Sequence, residues 1–238
     1  MKTFFTALAV LSLSYIQVAS ADQIAGFDAQ DLSIGDITLP DLQKSFQNPD
    51  NLSRSGFKFN SKFPIRFEAV AVGNAGQALR LHLPQDGEGS KSVYISFGDP
   101  KLRDYVKLDA PLVLECKIQT PSDRNSLLGE VILFHEGKTH AVAFFRTPSQ
   151  SKSQIEPTFD LPVNEPVDIK ITLSSQGDGI SAAFQAKSAS GFSEEKEWML
   201  PGTENFNLAD IQLLNFIAAP EEGTPATYLD IFSIRVSQ

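Results

Sequence analysis

The chain has 238 residues, 42% apolar, 21% charged and 10% aromatic, with 15 Gly, 14 Pro, 18 Phe and one Cys. That composition excludes a collagen-like repeat, a disulfide-stapled scaffold and wholesale disorder. The formal charge of −9 argues against a duplex nucleic-acid binder, whose affinity comes largely from Lys and Arg on phosphates.

Met1-Lys2-Thr3 is a short basic start, Phe4 to Val18 is mostly apolar, and Ala19-Ser20-Ala21 supplies small residues ahead of polar Asp22. This is the pattern of a secretory signal peptide over residues 1–21, cleaved after Ala21, and its apolar stretch is short for a membrane span. No Cys follows the cleavage site, which argues against a lipid anchor. A secreted or periplasmic protein with no membrane span is expected. Its one cysteine, Cys116, shares parity with Leu112, Leu114 and Ile118 and reads as a small buried hydrophobe. Without disulfides, the mature chain must hold together by its core, and it is long enough to do so.

Residues 22–54 read as an irregular N-terminal segment that packs on the rest, with a short helix around Leu42 to Phe46. Residues 55–238 read as one domain in which the apolar period is two. Leu79, Leu81 and Leu83 alternate with Arg80 and His82; Val93, Ile95 and Phe97 alternate with Tyr94 and Ser96. Val167, Ile169, Ile171 and Leu173 alternate with Asp168, Lys170 and Thr172, and a similar run covers 180–187. Further strands are predicted at 64–72, 127–135, 139–146, 211–218 and 227–236. Gly177-Asp178-Gly179, Asp99-Pro100 and Thr120-Pro121-Ser122-Asp123 punctuate them. Thr147–Phe159, rich in Ser, Gln and Pro, reads as a polar loop. Ten or more short half-wet strands mean an all-β fold of two packed antiparallel sheets.

The C-terminal half carries a resemblance. Pro166-Val167-Asp168-Ile169-Lys170-Ile171-Thr172-Leu173 leads through Gly177-Asp178-Gly179 to a second strand, then Trp198-Met199-Leu200-Pro201-Gly202 and a strand at 211–217. Tyr228-Leu229-Asp230-Ile231-Phe232-Ser233-Ile234 closes the chain. This order resembles the concanavalin A-like, laminin-G-like jelly-roll domains of secreted bacterial type, over roughly residues 55–237. The resemblance implies two curved antiparallel sheets and, in many relatives, glycan binding or a structural calcium. It does not imply an activity.

Retaining glycosidases need two carboxylates about 5–5.5 Å apart, and enzymes of this fold set such acids at alternate positions of one strand. No such array is visible. Glu194-Glu195-Lys196-Glu197 beside Trp198 reads as a solvated loop with an anchoring Trp. His135 and His140 flank Glu136-Gly137-Lys138-Thr139; a turn at Gly137-Lys138 would make them cross-strand partners, short of a third metal ligand. Tyr94 and Trp198 are the candidate ligand-binding aromatics, Tyr94 because it lies on the wet side of a regular strand; Tyr105 and Tyr228 are the other amphipathic ones. Asp230 shares parity with Tyr228, Phe232, Ile234 and Val236. A regular strand buries it, which demands an ion pair, hydrogen bonds or a cation, with Asp28 and Asp31 as partners in a calcium site. A bulge would instead turn it outward. The expected function is a secreted, non-catalytic module that binds a glycan or an envelope partner. The alternatives are a diverged glycoside hydrolase or polysaccharide lyase of the same fold, or a purely structural or adhesive protein.

Overall fold

The computed structural model describes residues 23–38, 40–42, 58–61, 66–83, 93–97, 110–120, 127–135, 138–146, 157–177, 179–204, 208, 213–218 and 227–238. The leader, Tyr105, Glu136 and most of Thr147–Phe159 lie outside them. The described residues form fifteen strands: β1 (Gln23–Asp28), β2 (Gly35–Ile37), β3 (Lys58–Ser61), β4 (Arg66–Ala71), β5 (Gln77–Leu83), β6 (Val93–Phe97), β7 (Leu112–Gln119), β8 (Leu127–His135), β9 (Lys138–Arg146), β10 (Thr158–Asp160), β11 (Val167–Gln176), β12 (Gly179–Ser188), β13 (Ser193–Met199), β14 (Leu213–Ala218) and β15 (Thr227–Ser237). They make two sheets. One runs β13-β12-β11-β7-β15-β5-β4-β2, with β1 beside β15; the other runs β10-β9-β8-β14-β6-β3. Among the described residues every pairing is antiparallel except β10 with β9.

The alternating residues explain the layers. Leu112, Leu114, Cys116 and Ile118 on β7, and Val167, Ile169, Ile171 and Leu173 on β11, are all buried in one core with Val131, Leu133 and Phe145 of the second sheet. Their strand neighbours point to the other face, as the two-residue period requires. Each large aliphatic side chain so buried contributes about 1.5–3 kcal/mol. Phe159 of β10 stacks on Phe184 of β12 at 3.6 Å between centroids, joining the two sheets. The β11–β12 hairpin closes with Gln176 opposite Gly179, and Gly177 takes φ +58°, the left-handed conformation that such a tight turn needs.

Two expectations change, and one that was left open is decided. Within residues 22–54, expected to be irregular, β1 pairs with β15 and β2 with β4, so this segment supplies strands of the larger sheet. Leu42 is fully buried in the core. Glu194–Glu197, expected as a loop, lies in the edge strand β13. On β15 the register slips between Ile231, opposite Ile118, and Ser233, opposite Lys117. This bulge at Phe232 switches the parity: Leu229 and Ile231, then Ile234 and Val236, join the core. Asp230 therefore shares no face with Ile234 and Val236.

Candidate functional site

The outer face of the larger sheet carries a groove of about 560 Å³ across β13, β12, β11, β7 and β15. The backbones of core-facing Cys116, Ile169 and Ala186 contribute to its floor, and polar outward residues line it. Register sets those residues in two rows. In the first, Lys187 stands opposite Asp168, Asp168 opposite Lys117, and Lys117 opposite Ser233. In the second, Glu195 stands opposite Gln185, Gln185 opposite Lys170, Lys170 opposite Glu115, and Glu115 opposite Arg235. The result is a checkerboard of cations and acceptors. Gln185 Nε2 donates to Glu195 Oε1 at 3.4 Å, and Arg235 Nη2 reaches Asp28 Oδ2 at 3.4 Å on the rim. Lys117 also extends over the Phe232 ring, 5.5 Å from its centroid. Below the groove, burial pushes the Cys116 thiol up to about 12, with Asp168 adding to the shift, so Cys116 is no nucleophile.

The other half of the same face is electrostatically closed. Arg80 Nε donates to Asp230 Oδ1 at 2.7 Å and Arg80 Nη2 to Oδ2 at 2.8 Å. The Asp230 side chain is 0% exposed, that of Arg80 23%, and the guanidinium lies 3.7 Å from the centroid of Tyr228. The hydrogen bonds to Asp230 outweigh desolvation and hold Arg80 above its ordinary value. Beside this pair, Arg66 bridges Asp36 at 2.8 Å and Glu68 at 3.4 Å, and Glu68 meets His82 Nε2 at 3.0 Å.

The predicted site residues do not converge. Asp230 is turned to the outer face by the bulge, yet is buried there, with its carboxylate taken by Arg80. Asp28 accepts from the Gln30 backbone N–H at 3.0 Å and pairs with Arg235. Asp31 lies in the 3₁₀ turn Ala29–Asp31. The described residues contain no group of three or more His, Cys, Asp or Glu arranged for a metal, so these three acids do not form a calcium cage. Trp198 stands opposite Ala182, a core residue, and packs 5.6 Å from Phe159. Its Nε1 is buried with no hydrogen-bond partner among the described residues. It faces the core, away from the groove. Tyr94 lies in β6 of the smaller sheet, opposite Ile217 and Asn60; its side chain is outside the described residues. His135 pairs with Lys138 and His140 with Leu133, so the two histidines are not cross-strand partners. His140 instead packs beside the 201–202 turn, with Nδ1 3.2 Å from the Pro201 carbonyl oxygen.

Sequence reasoning missed the groove residues. Lys117, Lys170, Glu115 and Asp168 are visible as wet members of alternating strands, but their alignment depends on strand order and register. Glu195 and Glu197 also occupy alternate positions of β13, opposite Gln185 and Ala183, an alternation that the loop reading concealed.

No family model matches this chain, and no curated protein does either. Solved structures do resemble it. The marine alginate lyase from Aplysia kurodai aligns at TM-score 0.57 and 7% identity, covering 91% of this chain and 99% of that one. A conserved carbohydrate esterase from the Shiga toxin-encoding bacteriophage phi24B aligns at TM-score 0.52 and 13% identity, covering 91% and 98%. The galactose-complexed lectin UEA-II reaches TM-score 0.49 at 13% identity, covering 92% and 99%. The fold is thus a two-sheet antiparallel jelly-roll sandwich, an architecture shared with the alginate lyase. At these identities the likeness defines the fold and does not single out the laminin-G type.

Proposed function

We propose that the protein is an exported, non-catalytic glycan-binding module and that the groove on the larger sheet is its saccharide site. The observation that carries this reading is the checkerboard, which offers alternating donors and acceptors to a ligand rich in hydroxyls, over a floor of sheet backbone. Export rests on the basic start, apolar run and Ala19-Ser20-Ala21 of the leader. The lyase and esterase of similar fold are both named for carbohydrate chemistry. The test is a glycan array probed with the mature chain, followed by titration of the best ligands against Lys170→Ala and Asp168→Ala. Binding that both substitutions weaken supports the reading; binding that neither affects overturns the site.

The alternative, a hydrolase or lyase, has one observation in its favour: Glu195 and Glu197 alternate on β13. Two residues along a strand span roughly 6.8 Å, beyond the separation a retaining mechanism uses and inside the inverting range. Against it, Glu197 does not line the groove and β13 is an edge strand. Release of reducing sugar from β-glucans that disappears in Glu195→Gln would establish the alternative; none is expected.

A further inference from the structure

Building on the glycan-binding reading, we propose that the ligand is an extended polyuronate bearing a carboxylate on each residue, crossing the strands with four successive sugars in the groove. The cations are not scattered. From β12 through β11 and β7 to β15, each strand contributes one: Lys187, Lys170, Lys117 and Arg235. They fall alternately in the first and second row. Consecutive cations are diagonal neighbours about 7–8 Å apart at Cβ, advancing one strand width of about 4.8 Å per step. An extended 1,4-linked polyuronate turns each residue over relative to the last, at a repeat close to one strand width. Its carboxylates therefore project to alternate sides at each step, as the cations do. The complementary zigzag, Gln185, Asp168, Glu115 and Ser233, presents acceptors where the hydroxyl-bearing edges would fall.

Two further observations set the sign and the length. Among the described residues, neither Lys170 nor Lys187 makes an ion pair, in a chain whose net charge is −9. Both are exposed, so their charges are open to a ligand, whereas the acidic surface as a whole repels a polyanion. The zigzag also ends in acids. The next position beyond Lys187 is Glu195 on β13, and the next beyond Arg235 is Asp28 on β1, opposite Ser233. Between these ends each acid is flanked by two cations, Asp168 by Lys187 and Lys117 and Glu115 by Lys170 and Arg235. A fifth carboxylate at either end would meet Glu195 or Asp28 with no further cation of the zigzag beyond.

The test is calorimetric titration of the mature chain with oligouronates of two to six residues and with their carboxyl-reduced, neutral counterparts. Affinity is expected to rise to the tetramer and then level, to fall with added NaCl, and to exceed the neutral series by about tenfold or more. Lys170→Ala and Lys187→Ala should each weaken tetramer binding about threefold to fivefold. Lys138→Ala, exposed on the other sheet, should not change it. Neutral oligomers binding as well as charged ones overturns this inference and leaves the glycan-binding reading intact. Charged oligomers binding equally to wild type and both groove variants also overturns it, because the site then lies elsewhere. If neither series binds, and the array shows no other saccharide, both this inference and the reading beneath it fail.

Discussion

The outer face of the larger sheet has two halves built from the same kind of strand, with opposite treatment of charge. On β2, β4, β5 and the start of β15, the charged groups are consumed internally: Asp36 with Arg66, Glu68 with Arg66 and His82, Asp230 with Arg80. Across β12, β11 and β7 the charges lie opposite one another, but Lys170 and Lys187 remain outside any ion pair among the described residues, and a groove opens above them. The boundary is the bulge at Phe232. Residues before it pair with β5; residues after it pair with β1. The difference separates charge that supports the fold from charge presented to solvent.

Breaking the paired half should have the larger effect on stability. Arg80→Ala strands a fully buried carboxylate and should cost about 3–5 kcal/mol, read as a lower urea midpoint with an unchanged slope. Asp230→Ala leaves Arg80, which still has some access to water, without its partner, and should cost about 1–3 kcal/mol. The double variant should cost clearly less than the two summed, since the partners are in direct contact. If Arg80→Ala proves neutral, the contrast between the halves fails.

In the open half, Lys170→Ala and Lys187→Ala should move stability by no more than about 0.5 kcal/mol while changing ligand affinity. A large loss of stability in either would mean that these lysines support the fold after all.

The sole tryptophan sharpens the comparison from inside. Because Trp198 faces the core beside Phe159, its emission maximum should hold steady when a saccharide fills the groove. A pronounced ligand-induced shift would place Trp198 at the site.

The smallest effect belongs to Glu194, whose carboxyl is raised by partial burial and by nearby Asp160, against the opposing pull of Lys196. The folded chain holds this proton more tightly than the unfolded chain, so the contribution favours folding at low pH. It is lost as pH rises through the raised value. Glu194→Gln should therefore stabilise slightly at pH 7, by at most roughly a few tenths of a kcal/mol after solvent screening. Thermal melts should show no gain at pH 4.

Much of the fold was legible from local pattern. Period-two alternation placed the strands at 167–173, 180–187, 93–97 and 79–83, and put Cys116 in the core, because side-chain direction in a strand depends only on sequence parity. β1, β2 and β13 were illegible for the same reason. Gln23–Asp28 and Gly35–Ile37 are short, and Ser193–Met199 is charged on both faces, so none carries a clean alternation. At the edge of a sheet the pairing partner, more than the strand's own residues, creates the strand.

The sequence by itself determined the all-β class and many of the inward residues, and left Asp230 either buried on a regular strand or turned outward by a bulge. Tertiary structure alone decided between these and supplied the partner. The parity of Asp230 changes at one bulged residue, and its partner Arg80 lies 150 positions away. Likewise, Lys117, Lys170, Lys187 and Arg235 become neighbours only through a strand order that no local pattern encodes. Periodicity is a property of adjacent residues, whereas a site on a sheet runs across the strands, where adjacency is set by register.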